Sequence, residues 1–164
     1  MSTIGGLPAH ALLVHFIVVL APLTAVLAIL CAVWPAARRR LVWLVLALAA
    51  ATTALTPLTT DSGEWLEHQV QRSALVREHA HIGDTMIYFA LALLVAAILL
   101  AVTHVRASRG RALPAALSAV VAVFVVAASA ATAVQVYRIG HSGATSVWSG
   151  RITHSTGAAG EDGN

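Results

Sequence analysis

The sequence predicts an all-α integral membrane protein that folds as a four-helix bundle. Of its 164 residues, 59% are hydrophobic and 10% are charged, whereas a soluble globular domain is typically about 45–50% apolar and about 25% charged. A soluble fold of this size cannot bury so much apolar surface. The composition therefore excludes a soluble globular enzyme, a disordered chain and a nucleic-acid-binding domain.

Four apolar runs carry the predicted spans: residues 9–33, 41–60, 79–103 and 113–137. Each has about the twenty residues that a helix needs to cross a hydrocarbon core of ~30 Å, and a β-barrel would instead show short alternating segments. The first run does not fit a removable signal peptide, because residues 1–8 contain no Arg or Lys and the run is too long. We predict one four-span domain over residues 1–149. The remaining residues, 150–164, are rich in Gly, Ser, Thr and acids, which predicts a disordered tail.

The arginines predict how the bundle is oriented. The chain has ten Arg and no Lys, a composition typical of GC-rich bacterial genomes, and six of these Arg lie in two loops between apolar runs. The positive-inside rule places both loops in the cytoplasm, so both termini and the loop over residues 61–78 face outward. We therefore expect a bacterial cell membrane protein whose main partner is the lipid bilayer. The six loop arginines are Arg38, Arg39, Arg40, Arg106, Arg109 and Arg111.

Polar residues concentrate at the outer ends of the spans. Thr52, Thr56 and either Thr59 or Thr60 recur at a spacing that stacks them on one face of span two. Such residues are costly against lipid, so they predict a polar cavity that opens to the extracytoplasmic side. Seven of the eight histidines lie at or beyond the outer ends: His10, His15, His68, His79, His81, His141 and His154.

His15 is the histidine placed most clearly within a span, because apolar residues flank it on both sides. An ionisable residue inside the membrane predicts a functional site by default. His10 lies five residues earlier, about 140° around the helix and about 7.5 Å away in depth. For His10 and His141, a position at the level of the lipid headgroups is as good an interpretation as a role in binding a ligand. Neither a Ser/His/Asp set nor paired carboxylates occur at membrane depth in the sequence, so no hydrolase or transferase activity is predicted.

Span three offers two histidines on different faces. His79 and His81 are about 200° apart on a regular helix and do not face one ligand together. His79 shares a face with Gly83, where a flat cofactor would approach closely. His81 shares a face with Thr85 and with Asp84, whose carboxylate would orient a ring N–H.

A weak internal repeat relates the two halves of the chain. The segment 61–65 follows span two and contains Ser-Gly before a Trp, and the segment 141–148 follows span four with the same pattern. Two hairpins related by an axis along the membrane normal would produce such a repeat.

Five short motifs together carry a family resemblance. They are Gly6-Leu7-Pro8-Ala9-His10, Leu13-Val14-His15-Phe16, Ser62-Gly63-Glu64-Trp65-Leu66, Glu78-His79-Ala80-His81-Ile82-Gly83-Asp84, and His141-Ser142-Gly143-Ala144 with Trp148. They resemble the bacterial four-span family called domain of unknown function 2231. The family pattern places its histidines at His15, His79 and His141, with His81 at a variable position. Many members have Pro where Ile17 stands here. The resemblance also implies a redox setting, because related domains occur fused to Rieske or cytochrome c modules.

The histidine distribution favours a protein that binds b-type haem and transfers electrons near the outer face. Two neutral imidazoles from facing helices would supply both axial ligands. His15 and His79 form the first predicted pair, with His141 or His10 as substitutes.

A haem at this position would need further contacts. Arg138 or Arg77 at the outer rim would pair with its propionates. Electron transfer would also require a redox partner or another membrane subunit.

Two other functions fit the same residues. A metal-binding or transport-accessory module would hold zinc or copper through His10, His79, His81, Asp84 and His141, since imidazole suits both metals. A structural subunit that docks a partner is the third interpretation, and its histidines would make it responsive to pH.

Overall fold

Five helices form most of the computed structural model, which describes residues 3–4, 7–69 and 73–157, with side chains over 9–69 and 73–148. The helices are α1 (Ala9–Val33), α2 (Pro35–Glu67), α3 (Ala74–Asp84), α4 (Met86–Ser108) and α5 (Ala115–Gly157). Before α1, the strands β1 (Thr3–Ile4) and β2 (Leu7–Pro8) pair antiparallel, with Thr3 opposite Pro8 and Ile4 opposite Leu7. The predicted all-helical class is confirmed.

Four helical stretches are long and apolar enough to cross a membrane: Ala9–Val33, Pro35–Glu67, Ala74–Ser108 and Ala115–Trp148. Three of them extend well beyond their apolar runs. The helix α2 continues through residues 61–67, where the sequence predicted a loop, and α5 passes residue 150, where the predicted tail begins. A helix keeps its internal hydrogen bonds in water as well as in lipid, so the end of an apolar run marks only the membrane boundary. Residues 158–164 lie outside the described residues.

The Arg-rich ends of the helices meet at one end of the bundle. Trp34 alone separates α1 from α2, and Pro35 begins α2 at the position where its fixed φ and missing N–H are favourable. The arginines at 38–40 therefore lie in the first turns of α2 and not in a loop. Gly110, with φ of 70°, turns the chain between α4 and α5 at the same end. We call the opposite end, which carries His10 and His79, the outer end.

The spans pack in the cyclic order α1, α2, α4, α5, with α3 against α5 and α2. Small side chains dominate their contacts, including Ala28, Ala49 and Ala97, each fully buried. Small residues let helices approach closely. In lipid, where burying apolar side chains gains little, this close packing holds the spans together. Large apolar side chains face outward instead, among them Phe16 and Val123. The surface of the bundle is therefore suited to acyl chains.

The third span is divided into two helices at Thr85. The Thr85 hydroxyl donates to the Ile82 carbonyl at 2.7 Å. The buried amide of Gln135 on α5 donates to the same carbonyl at 3.0 Å and to the Thr85 hydroxyl at 2.7 Å. These bonds satisfy polar groups at the break, and they anchor α3, which carries His79, to α5.

We predict that Gln135→Ala lowers the free energy of unfolding by about 1–2 kcal/mol, because it removes the two hydrogen bonds that join α5 to the break and leaves the Ile82 carbonyl and the Thr85 hydroxyl bonded only to each other. Ser129→Ala on the same helix is the matched control. The Ser129 hydroxyl is buried with no hydrogen-bond partner among the described residues, so its removal should be neutral or stabilising. Thermal unfolding in mild detergent measures both, and equal losses would contradict this account of the break.

Candidate functional site

A cavity of about 640 Å³ opens at the outer end between α1, α2, α3 and α5. Both His10 and His79 line it, and we call it the His10–His79 cavity. Ile17, Thr56 and Met86 line its inner part and are buried. The volume falls in the range of small-molecule and cofactor sites, roughly 300–1,000 Å³.

His10 lies in the first turn of α1 and is held by the backbone of α2. Its Nδ1 is 3.0 Å from the Thr59 carbonyl oxygen. A carbonyl only accepts hydrogen bonds, so Nδ1–H must be the donor. In the neutral ring the proton is then on Nδ1, and Nε2 keeps its lone pair.

His79 is held in the same tautomer by a side chain. Its Nδ1 is 3.0 Å from the Ser142 hydroxyl oxygen, and that hydroxyl donates its single proton to the Ile139 carbonyl at 3.0 Å. The oxygen can therefore only accept from His79, so Nδ1–H is again the donor. The Nε2 of a neutral His79 also keeps its lone pair.

Two glycines make room for these rings. A Cβ at Gly63 would lie 2.9 Å from Nδ1 of His10, and a Cβ at Gly143 would lie 3.1 Å from Cε1 of His79. Both distances are shorter than ordinary van der Waals contact. Gly83, which the sequence suggested as the point of close approach for a cofactor, also lines the cavity, but a Cβ there meets nothing within 4 Å.

The two halves of the chain build similar arrangements, although His10 donates to the Thr59 carbonyl and His79 to the Ser142 hydroxyl. Each glycine follows a serine whose hydroxyl donates to the carbonyl three residues earlier, Ser62 to Thr59 at 2.9 Å and Ser142 to Ile139. In each half a histidine from the preceding span packs on this Ser-Gly pair, which lies within a helix. The weak repeat in the sequence coincides with this contact, whose role the sequence reasoning missed. The repeated Ser-Gly pair was its one signal.

Two members of the threonine stripe, Thr56 and Thr59, line one side of the cavity. Thr52, Thr56 and Thr59 are buried, which confirms their predicted interior position, and Thr59 is the more buried of the two alternatives. Each hydroxyl donates to the carbonyl four residues earlier at 2.8 Å. Because these protons are already donated within α2, the stripe offers a ligand no free hydroxyl donor.

His15 is exposed on the side of α1 that faces away from the bundle, and it does not line the cavity. Its Nδ1 bonds to the Ala11 carbonyl. The structure therefore does not bring together the predicted pair of His15 and His79. The angle of about 140° between His10 and His15 explains this, because α1 turns His10 toward the bundle and His15 away from it.

The other predicted site residues do not gather in the cavity with His10 and His79 either, except Asp84. His141 is exposed, stacks on Tyr137 with ring centroids 6.0 Å apart, and lies outside the His10–His79 cavity. His81, which the sequence placed on one face with Thr85 and Asp84, is exposed on another face of α3 and does not line the cavity. Asp84 is exposed but does line the cavity. The side chain of His154 lies outside the described residues.

The predicted metal site is not assembled. Of its five residues, only His10, His79 and Asp84 line one cavity. No group of three or more His, Cys, Asp or Glu among residues 9–69 and 73–148 is placed to hold a metal ion.

The mouth of the cavity is acidic. Glu64, Glu67 and Asp84 line it, whereas Arg77 and Arg138, the predicted partners of haem propionates, do not. A ligand would therefore meet two imidazoles inside and carboxylates at the entrance.

Comparison with protein families agrees with this architecture. The family described as predicted membrane protein (DUF2231) matches residues 6–156. The chain belongs to this family. The match covers all four spans of this DUF2231 protein and both Ser-Gly pairs. No curated protein and no solved structure matches it significantly.

We predict that Gly63→Ala destabilises the protein by about 1–3 kcal/mol and Gly143→Ala by less, because the added methyl displaces a histidine ring, and the contact is closer at Gly63. Gly83→Ala is the control, since its methyl enters open space and alanine favours helix by up to ~1 kcal/mol. Thermal unfolding of the three variants measures this. Destabilisation by Gly83→Ala equal to that of the other two would contradict the close packing described here.

Proposed function

We propose that this DUF2231 protein binds b-type haem in the His10–His79 cavity, where Nε2 of His10 and Nε2 of His79 would hold its iron. The observation that supports this is the pair of imidazoles from opposite halves of the chain, which line one cavity with Nδ1–H already donated. Ligating histidines commonly donate the other ring N–H to a carbonyl or a similar acceptor, which fixes the ring and raises its basicity.

The pair differs from the one the sequence favoured, since His10 replaces His15. The cavity volume and its largely apolar inner lining suit a flat macrocycle. When bound, haem would supply one-electron chemistry near the outer surface. A redox protein or another membrane subunit would then exchange electrons with it at the acidic mouth.

The acidic mouth favours a second candidate, a quinol. Haem propionates would be repelled by Glu64, Glu67 and Asp84, whereas a quinol carries no carboxylate. Its two hydroxyl groups would donate to the two Nε2 lone pairs. A symmetric donor of this kind also fits the repeated arrangement of the two histidines.

An absorption spectrum of protein purified in mild detergent separates the candidates. Haem predicts a Soret band, with α and β bands after reduction, that is lost in His10→Ala and His79→Ala and kept in the controls His15→Ala and His141→Ala. A quinol site predicts no Soret band, but a quinone in organic extracts of the wild type that both cavity variants fail to retain. Retention of either ligand by both cavity variants would contradict the histidine pair.

We also propose that the outer end faces the extracytoplasmic side of a bacterial membrane, with both termini outside. The two Arg-rich connections at the opposite end support this orientation, since such residues concentrate in the cytoplasm.

Reporter fusions test the orientation. Alkaline phosphatase, which folds only outside the cytoplasm, should be active when fused after residue 157 and inactive when inserted after Arg109. The reverse pattern would contradict the proposed orientation and place the cavity on the cytoplasmic side.

A further inference from the structure

A second cavity, of about 310 Å³, lies between α3 and α5 and is separate from the His10–His79 cavity. One wall is formed by α3, with Leu75, Glu78 and Ile82. The other wall is formed by α5, and its polar members include Arg138 and His141. We call this cavity the α3–α5 groove.

The groove holds opposite charges on opposite walls. Arg138 and Glu78 are both exposed, and neither has an ion-pair partner within residues 9–69 and 73–148. The two walls therefore keep a cation and an anion apart, and each charge is available to a ligand.

The donors in the groove are few. The Ser142 hydroxyl donates to Ile139, and the Thr145 hydroxyl donates to the His141 carbonyl at 2.9 Å. Their protons are thus already donated within α5. An anionic group in the groove would depend on the guanidinium of Arg138, with the imidazole of His141 beside it.

The groove lies where the lipid-facing surface of α5 ends. Val134 is exposed just before it, Tyr137 is exposed and lines it, and Trp148 is exposed beyond it. Tyr and Trp mark the membrane–water interface in spanning helices. Apolar Leu75 and Ile82 also line the groove, so a ligand here would have a headgroup among charges and an apolar body beside the bundle.

We propose that the α3–α5 groove binds the phosphoethanolamine headgroup of a phospholipid. Arg138 pairs with the phosphate through charge-assisted hydrogen bonds, and Glu78 accepts from the primary ammonium. Phosphatidylcholine offers no N–H to Glu78, and phosphatidylglycerol offers no cation. The groove therefore selects phosphatidylethanolamine over both.

Native mass spectrometry of the detergent-solubilised protein tests this proposal. With dioleoyl phosphatidylethanolamine, phosphatidylcholine and phosphatidylglycerol added in equal amounts, the ethanolamine lipid should be retained preferentially. Arg138→Gln should lower its retention about fivefold, and Glu78→Gln should lower it to the level of phosphatidylcholine. Arg77→Gln and Asp61→Asn are matched controls, since both residues are exposed at the same end and line neither cavity.

Equal retention of the three lipids by the wild type would overturn the proposal, and so would equal losses in the control variants. Displacement of the lipid by soluble phosphoethanolamine at the same concentration would identify a free phosphate ester as the ligand, which overturns a lipid site. Lipid retention is read without any haem or quinone signal, so failure here is distinct from failure of the proposed function.

Discussion

Hydrocarbon offers no hydrogen bonds, so polar groups between the spans find their partners inside the protein, with the Ser129 hydroxyl as an exception among the described residues. The threonines of α2 meet this constraint by donating to carbonyls of their own helix. At the break in the third span, Gln135 supplies the donors that the interrupted helix needs. At the outer end the same constraint acts on two imidazoles, each of which donates Nδ1–H to an acceptor on a neighbouring helix.

The Nε2 lone pairs that these hydrogen bonds leave free define the site. Each neutral ring, on His10 and on His79, keeps one lone pair on Nε2, and both rings line a cavity large enough for a cofactor. Gly63 and Gly143 permit this placement, because any larger side chain would displace a ring. The site therefore depends as much on two glycines and their serine neighbours as on the histidines.

The sequence was sufficient to predict the spans and the cavity at the outer end, because both follow from hydropathy and from the cost of polar groups in lipid. It favoured His15 over His10, whereas the structure places His10 in the cavity and His15 outside it. Both lie near the start of α1, and only packing against α2 decides which one faces inward. The hydrogen bonds from His79 to Ser142 and from His10 to Thr59 could not be predicted either, since they join residues 63 and 49 positions apart in the chain.

Nitrogen-15 NMR of histidine-labelled protein in lipid, at a pH where the rings are neutral, tests the central claim most directly. The account predicts that His10 and His79 both carry their proton on Nδ1, with Nε2 unprotonated, whether or not a ligand is bound. Assignment follows from loss of the corresponding signals in His10→Ala and His79→Ala. Protonated Nε2 with bare Nδ1 at either ring would contradict the hydrogen bonds on which the site rests.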